Sequence, residues 1–223
     1  MNYQFLTRTQ LFLGLGAEDI ESALNCLQAR TKVYKKGEII CRAGNIIEEM
    51  GLILSGSVNI EQFDAWGNVS IHGNAGRGEV FAEAYACIPD EILMVDVTAA
   101  EPTEILFLNT NRVLNICTST CPFHIRLVRN MLTVMASKNL NLSRKISHIT
   151  SKSIRGRLLS YLSDQAIRRG QYQFEIPFNR QQLADYLCVD RSAMSNELSR
   201  MQNDGLLTFH KNKFCLKEEN ETG

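Results

Sequence analysis

Asn179–Met201 reads N-R-Q-Q-L-A-D-Y-L-C-V-D-R-S-A-M-S-N-E-L-S-R-M, and its spacing resolves into two short helices. Asn179 is placed to cap the first, with Leu183, Ala184 and Leu187 on one face. Cys188-Val189-Asp190 supplies a turn, and Asp190 caps a second helix whose Met194, Leu198 and Met201 face inward. Small Ala184 falls where two crossing helices must approach closely. Two helices of this length with a single turn between them predict a helix-turn-helix.

The outward face of the second helix carries Arg191, Ser192, Ser195, Asn196, Ser199 and Arg200. Every one is a hydrogen-bond donor or acceptor, and only the arginines are charged. Such a face suits base edges and phosphates of duplex DNA, entered by the N-terminal half of the helix. Arg191, Ser192, Ser195 and Asn196 are the expected base readers. Immediately downstream, Asn203-Asp204-Gly205 turns into Leu206–Phe209, a basic tip His210-Lys211-Asn212-Lys213, and Phe214–Leu216. This hairpin is a wing able to lie on the phosphate backbone. Arg180, Gln181, Arg200, Lys211 and Lys213 are the expected phosphate ligands. The plain alternative, a surface helical hairpin without a ligand, does not account for the wing. It also leaves unexplained the charge of the region, since Ser147–Lys217 holds 11 Lys and Arg against 6 Asp and Glu while the whole chain is neutral.

Upstream, Phe174–Phe178 is a short extended piece stopped by Pro177. Ile154–Arg168 reads as a helix that ends at Gly170. Before it, Ser147–Thr150 with Ser151 and Ser153 forms a polar hinge. The hinge is preceded by Cys121–Ile149, a helix with Pro122 in its first turn. Ile125, Val128, Leu132, Met135, Asn139, Leu142, Ile146 and Ile149 recur at alternating steps of three and four, a narrow seam suited to a second copy of the same helix. Asn139, a lone polar residue in that seam, is placed to specify register. An ordinary amphipathic helix buried in its own domain is the competing reading.

Toward the N-terminus a helix is expected over Ala17–Ala29. From Thr31 to Asn109 the texture changes to short apolar runs between glycines: Glu38–Cys41, Gly51–Leu54, Ser57–Phe63, Val69–His72 and Glu104–Leu108. Evenly spaced short strands predict a jelly-roll-like double sheet, with Asp64–Asn68 as a hairpin turn. Asn109-Thr110-Asn111 caps a short helix through Cys117. The chain of 223 residues is thus expected to be α+β. It would comprise a jelly-roll-like double-stranded β-roll over 1–120, a long dimerisation helix and hinge over 121–149, and a winged helix-turn-helix over 150–223. No apolar run approaches a membrane span and no signal pattern opens the chain, so a cytoplasmic protein without a membrane partner is expected. Seven scattered cysteines without a C-x-x-C pair argue against a disulfide scaffold or a zinc knuckle.

From Leu11 to Leu216 the chain resembles the CRP/FNR family of bacterial transcription regulators. The matching pieces are Lys36-Gly37-Glu38, Leu54-Ser55-Gly56-Ser57-Val58, Gly78-Glu79-Val80-Phe81-Ala82-Glu83, a strand Ala100–Leu106, the long helix and the winged helix-turn-helix. The resemblance implies a homodimer on a two-fold symmetric DNA site, a cyclic-nucleotide-binding-like effector domain, and RNA polymerase as a partner. Relatives that bind cyclic AMP follow their Gly-Glu with an Arg-Ser pair about ten residues on. Here Ala82-Glu83 keeps the carboxylate, but Glu91-Ile92-Leu93-Met94-Val95-Asp96 replaces the pair. A buried phosphate would lack its arginine, so cyclic AMP is not the expected effector.

The resemblance places an effector pocket at Ala82, Glu83, Leu93, Met94 and Val95, for a small molecule that the sequence leaves unidentified. In the recognition helix, Ser192, Ser195 and Asn196 stand where many relatives have Glu, Ser and Arg. The usual half-site is therefore not expected, and Asn196 could read adenine through its bidentate edge. An iron–sulfur cluster would need close N-terminal cysteines, and only Cys26 and Cys41 are near. His72, His124 and His148 are candidate haem ligands, each more simply read as a surface or internally satisfied histidine. Cys117 and Cys121, four apart, are either a thiol switch or small core hydrophobes. The His-x-His cluster of metal-binding cupins is absent around His72. No metal site and no nucleophile–base pair is expected, hence no enzyme. The rival reading is a small-molecule-binding or enzymatic roll with a vestigial DNA-binding domain.

Overall fold

Alternation along one strand shows how the N-terminal part is layered. In a computed structural model, which describes residues 1–63, 69–114 and 122–217, Ile105 and Phe107 point into one apolar cluster while Leu106 and Leu108 point into another. Successive side chains of a strand face opposite ways, so this strand lies between two cores.

The chain begins with α1 (Tyr3–Leu6) and α2 (Ala17–Cys26). Eight strands follow: β1 (Arg30–Tyr34), β2 (Ile39–Cys41), β3 (Glu49–Ser55), β4 (Val58–Phe63), β5 (Val69–Ala75), β6 (Val80–Phe81), β7 (Asp96–Ala99) and β8 (Thr103–Asn109), with α3 (Glu83–Ala86) between β6 and β7. They form two antiparallel four-stranded sheets, in the orders β1-β8-β3-β6 and β2-β7-β4-β5. The expected double sheet is present. Between the sheets lie Tyr34, Ile53, Val58, Phe81, Val97, Ile105 and Phe107. Gly51 makes room for one of them, because a Cβ there would fall 2.2 Å from the Phe81 ring. Gly56, at φ +79, turns β3 into β4 where a Cβ would meet the Pro102 carbonyl oxygen at 2.5 Å.

Several sequence expectations shift at their edges. The helix expected to reach Ala29 ends at Cys26; Gln28 takes a positive φ and Arg30 already begins β1. β1 and β7 were not separately anticipated, since their charged and small residues break the apolar alternation that marks a strand. The strand expected from Ala100 starts at Thr103, with Ala100–Pro102 making the bend before it. The hairpin turn Asp64–Asn68 and the cysteines Cys117 and Cys121 lie outside the described residues.

α4 (Thr110–Leu114) and α5 (Pro122–Ile149) follow β8. The N-terminal half of α5 buries Phe123, Leu127, Met131 and Val134 against α1, α2 and the outer face of the first sheet. Asn130 is buried with them, and its Nδ2 donates to the carbonyl oxygens of Leu11 at 2.8 Å and Leu13 at 2.9 Å.

The chain divides into two compact units, Met1–Ser137 and Lys138–Gly223, so the division falls within α5. The second unit continues through α6 (Ile154–Arg169), β9 (Gln173–Glu175), α7 (Arg180–Leu187), α8 (Arg191–Asn203), β10 (Leu207–His210) and β11 (Lys213–Leu216). Ser153 caps α6 by accepting from the Gly156 amide at 3.0 Å, and Gly170 closes it in the left-handed conformation at φ +64. The three strands form an antiparallel sheet in the order β10-β11-β9. Leu158, Leu162, Phe174, Leu183, Leu187, Met194, Leu198, Met201 and Phe214 are its shared core with the helices.

Candidate nucleic-acid interface

Both helices of the helix-turn-helix are capped as their sequence predicts. Asn179 Oδ1 accepts from the Gln182 amide and Gln182 Oε1 accepts from the Asn179 amide, each at 2.9 Å, a reciprocal capping box that starts α7. Leu183, Ala184 and Leu187 are fully buried, and Cys188 turns the chain in the left-handed conformation at φ +53. Asp190 Oδ1 then accepts from the Ala193 amide at 2.8 Å to start α8. Met194, Leu198 and Met201 are buried as expected.

Two arginines missed in the sequence hold the pair together. Arg157 Nη1 donates to the carbonyl oxygens of Leu187 at 3.0 Å and Cys188 at 2.9 Å, while its Nε donates to Ser151 O at 2.8 Å. It satisfies acceptors left open where α7 ends. Arg155 donates to Glu197 and to Asp204, both at 2.6 Å, and so ties α6 to α8. Between them Gly156 leaves room for Ser151, whose side chain would have to shift if a Cβ stood 2.0 Å from its Oγ. Their only trace in the sequence is an Arg-Gly-Arg run in a first helical turn, which has no specific meaning until the partners are known.

With the frame set, Arg191, Ser192, Asn196, Ser199 and Arg200 are exposed along α8, and Ser195 is half-buried beside them. The serine hydroxyl protons are already committed. Ser192 donates to Asp190 Oδ1 at 2.5 Å, Ser195 to Arg191 O at 2.9 Å, and Ser199 to Ser195 O at 3.1 Å. Their oxygens therefore face outward as acceptors, leaving Arg191, Asn196 and Arg200 as donors. The Ser192 hydroxyl and the Ala193 amide hold the Asp190 carboxyl below its ordinary range. Gln181 is exposed on α7 and donates to Asp185 at 2.8 Å. At the wing tip Lys211 and Lys213 are exposed, and Asn212 pins the turn by donating to Glu175 at 2.9 Å and to Ile176 O at 3.1 Å.

Arg180, an expected phosphate ligand, packs against the wing. Its guanidinium lies over the Phe209 ring at 4.6 Å and the Phe214 ring at 5.3 Å, and one terminal nitrogen is buried without a hydrogen-bond partner. Burial lowers its pKa. The side chain is spent on packing the wing against α7.

Along α5, Ile125, Leu132, Leu142 and Ile146 are each about 60% exposed; Asn139 is exposed, and Val128, Met135 and Ile149 are half-buried. Ile125 and Leu132 of the expected seam therefore lie off the face that buries Phe123, Leu127, Met131 and Val134, while Met135 packs at the edge of that cluster. The helix carries two apolar faces, of which sequence periodicity disclosed one.

Of the expected effector-pocket residues, Glu83 and Leu93 are buried, Ala82 and Val95 half-buried, and Met94 exposed. Ala82 takes φ +61 at the start of α3. Leu93 pairs with the preceding loop, its amide donating to Asn45 O at 2.9 Å and its carbonyl accepting from Gly44 at 2.8 Å. A cleft of about 820 Å³ lies elsewhere, lined by Arg30, Tyr34, Cys41, Arg42, Glu49 and Phe107 among others, and none of the five expected residues lines it. Arg30 there is paired with Glu49 and stacked 4.4 Å over Phe107. Burial pushes the Cys41 thiol up to about 11. His148 and His124 are buried, and the side chain of His72 lies outside the described residues. Among the described residues no group of three or more His, Cys, Asp or Glu could hold a metal ion. Among them, too, no helix is long and apolar enough to cross a membrane.

Roll, long helix and winged helix-turn-helix together define the class of DNA-binding transcription regulators. Residues 31–120 match the cyclic nucleotide-binding domain family, and residues 156–221 match the Crp-like helix-turn-helix domain family. The chain belongs to the CRP/FNR family of transcription regulators. It is similar to the solved c-di-GMP responsive global regulator CLP of Xanthomonas campestris at 21% identity and a TM-score of 0.57, over 91% of this chain and 100% of that one. It is also similar to CprK complexed with OCPA at 16% identity and a TM-score of 0.63, over 89% and 92%. No curated protein sequence matches the chain.

Proposed function

We propose that the protein is a homodimeric, sequence-specific transcription regulator whose effector is not cyclic AMP. The observation that carries the dimer is the row Ile125, Leu132, Leu142 and Ile146, exposed in the single chain at the spacing of a two-stranded seam. Pairing along it would relate two copies of α8 by a two-fold axis, with half-sites about 34 Å apart. Arg191, Ser192, Ser195 and Asn196 read bases; Gln181, Ser199, Arg200, Lys211 and Lys213 position the backbone.

Against cyclic AMP stands the absence of any lysine or arginine between Arg77 and Arg112. The space between the sheets is taken up by Tyr34, Phe81 and Phe107, and Arg30 beside it is already paired with Glu49. Ala82, Glu83, Leu93, Met94 and Val95 remain the proposed neighbourhood of a small-molecule effector. RNA polymerase is the proposed protein partner.

Selection of duplexes from a randomised library by the full-length protein tests this. Two-fold symmetric sequences with half-sites one helical turn apart are expected, together with a dimer in sedimentation. Failure to enrich any sequence, with or without cell extract, would refute the reading and favour a roll with a vestigial DNA-binding domain.

A further inference from the structure

His148, near the end of α5, is only 4% exposed, and the residues around it come from three other parts of the unit Lys138–Gly223. Its Nδ1 lies 2.9 Å from the phenolic oxygen of Tyr186 on α7. Its ring stands edge-on to Tyr161 of α6, with centroids 5.4 Å apart and planes at 89°. Phe178, just before α7, completes the packing at 5.0 Å from the Tyr186 ring. This is a dense aromatic joint between the end of one helix and the first helix of the DNA-reading pair.

The charged groups around the imidazole come from α5 and α6. Nε2 faces Asp164 Oδ2 at 3.7 Å, and the same carboxylate oxygen lies 3.8 Å from Arg168. Arg144, one turn back on α5, and Arg168 both disfavour an imidazolium, and Lys145 sits 5.7 Å over the Tyr186 ring. A carboxylate beside Nε2 favours the proton there, which leaves Nδ1 as the acceptor and Tyr186 as the donor. With Tyr186 as donor, that bond requires a neutral ring. Protonation turns Nδ1 into a donor, so the Tyr186 hydroxyl must rotate its own proton away.

We infer that His148 is a positioning residue for DNA recognition: through Tyr186 it seats α7, and with it the recognition helix, on the end of α5, and its protonation loosens that seat. The inference rests on the reading of the chain as a DNA-binding dimer. Burial is the largest influence on the ring and lowers its affinity for protons below the ordinary value of 6.5; Asp164 opposes this, and Arg144 and Arg168 add to it. The unfolded chain then takes up a proton that the folded joint resists. The joint is at full strength above pH 6.5 and weakens as the pH falls below it.

The test uses full-length protein and duplexes enriched from a randomised library by the wild-type chain, with affinity read by fluorescence anisotropy at constant ionic strength. All variants carry His210→Gln, which removes the exposed histidine of the wing. The parent should lose about tenfold in affinity between about pH 7.5 and about pH 5.5. His148→Asn keeps an acceptor near Nδ1 but cannot titrate in this range, and should lose less than about threefold. Tyr186→Phe should bind several-fold more weakly at the higher pH and show a flattened profile. Imidazole resonances of histidine-labelled protein follow the same event without DNA, and His148 should titrate below 6.5. Titration at or above that value, or an equal acid loss in His148→Asn and its parent, overturns the positioning role while the functional reading stands. A parent that binds no duplex at either pH overturns both.

Discussion

Arg157 donates from Nη1 to the carbonyl oxygen of Leu187 at 3.0 Å, so the first turn of α6 holds the last turn of α7. The same guanidinium reaches Cys188 and Ser151, joining the hinge to the turn between the DNA-reading helices. Arg157→Ala removes three donors, from the carbonyls of Ser151, Leu187 and Cys188. A loss of about 1–3 kcal/mol is expected in urea unfolding followed on the C-terminal unit. Arg157→Lys should recover only part of it, because an ammonium cannot span the fork. Equal stability of the alanine variant and the wild type would show the contacts to be incidental.

Asn196 and Lys211 should separate specificity from affinity. Asn196→Ala is expected to relax preference at one base pair by about 1–3 kcal/mol. Lys211→Ala should weaken all sequences alike and lower the salt slope by about one. Selection profiles and salt titrations of the two variants distinguish these effects.

The hydroxyl of Ser192 donates its hydrogen bond to Asp190, so its oxygen presents only lone pairs outward. It should favour a base edge that donates, the amino group of cytosine or adenine. Ser192→Ala is expected to cost about 1 kcal/mol on the selected site, and Asp190→Asn to blur the preference at the same base pair. Comparing selected sites with those in which that amino group is replaced by hydrogen checks the assignment; an unchanged preference would reject it.

Leu142 is about 62% exposed, so a charge there burdens no part of the single chain. Leu142→Lys should leave the monomer folded, by circular dichroism, while weakening self-association by at least about 2 kcal/mol in sedimentation, with loss of DNA binding. Asn139→Leu should strengthen association and loosen its register. If DNA affinity and effector response were untouched by that change, the seam would act only as a clamp.

Gly51→Ala places a methyl group against the Phe81 ring, where no Cβ fits. Destabilisation of about 1–3 kcal/mol or more is expected, with partial rescue by Phe81→Leu. Thermal unfolding of the single and double variants measures the coupling.

How much of this was legible in the sequence varies with the range of the interaction involved. Asn179, Gln182 and Asp190 cap their helices within three residues, and Leu183, Leu187, Met194 and Leu198 repeat at helical spacing, so the helix-turn-helix could be read directly. The strands with regular alternation were readable too. β1 and β7 were harder, because what holds them is pairing with β8 in one sheet and β4 in the other, across many residues of sequence.

What the sequence determined by itself is the winged helix-turn-helix, the regularly alternating strands and the apolar spacing along α5, since these depend on spacing within a few turns of chain. Tertiary structure decided which side chains those elements spend on one another. It turned Arg180 inward onto Phe209 and Phe214, placed Arg157 across the end of α7, and gave α5 a second apolar face that carries Asn130 to the Leu11 and Leu13 carbonyls. It also made His148, a bare candidate ligand in the sequence, the centre of a joint with Tyr186. The physical reason is that periodicity records which side of a helix is apolar. Whether that side meets its own chain or stays open depends on elements a hundred residues away.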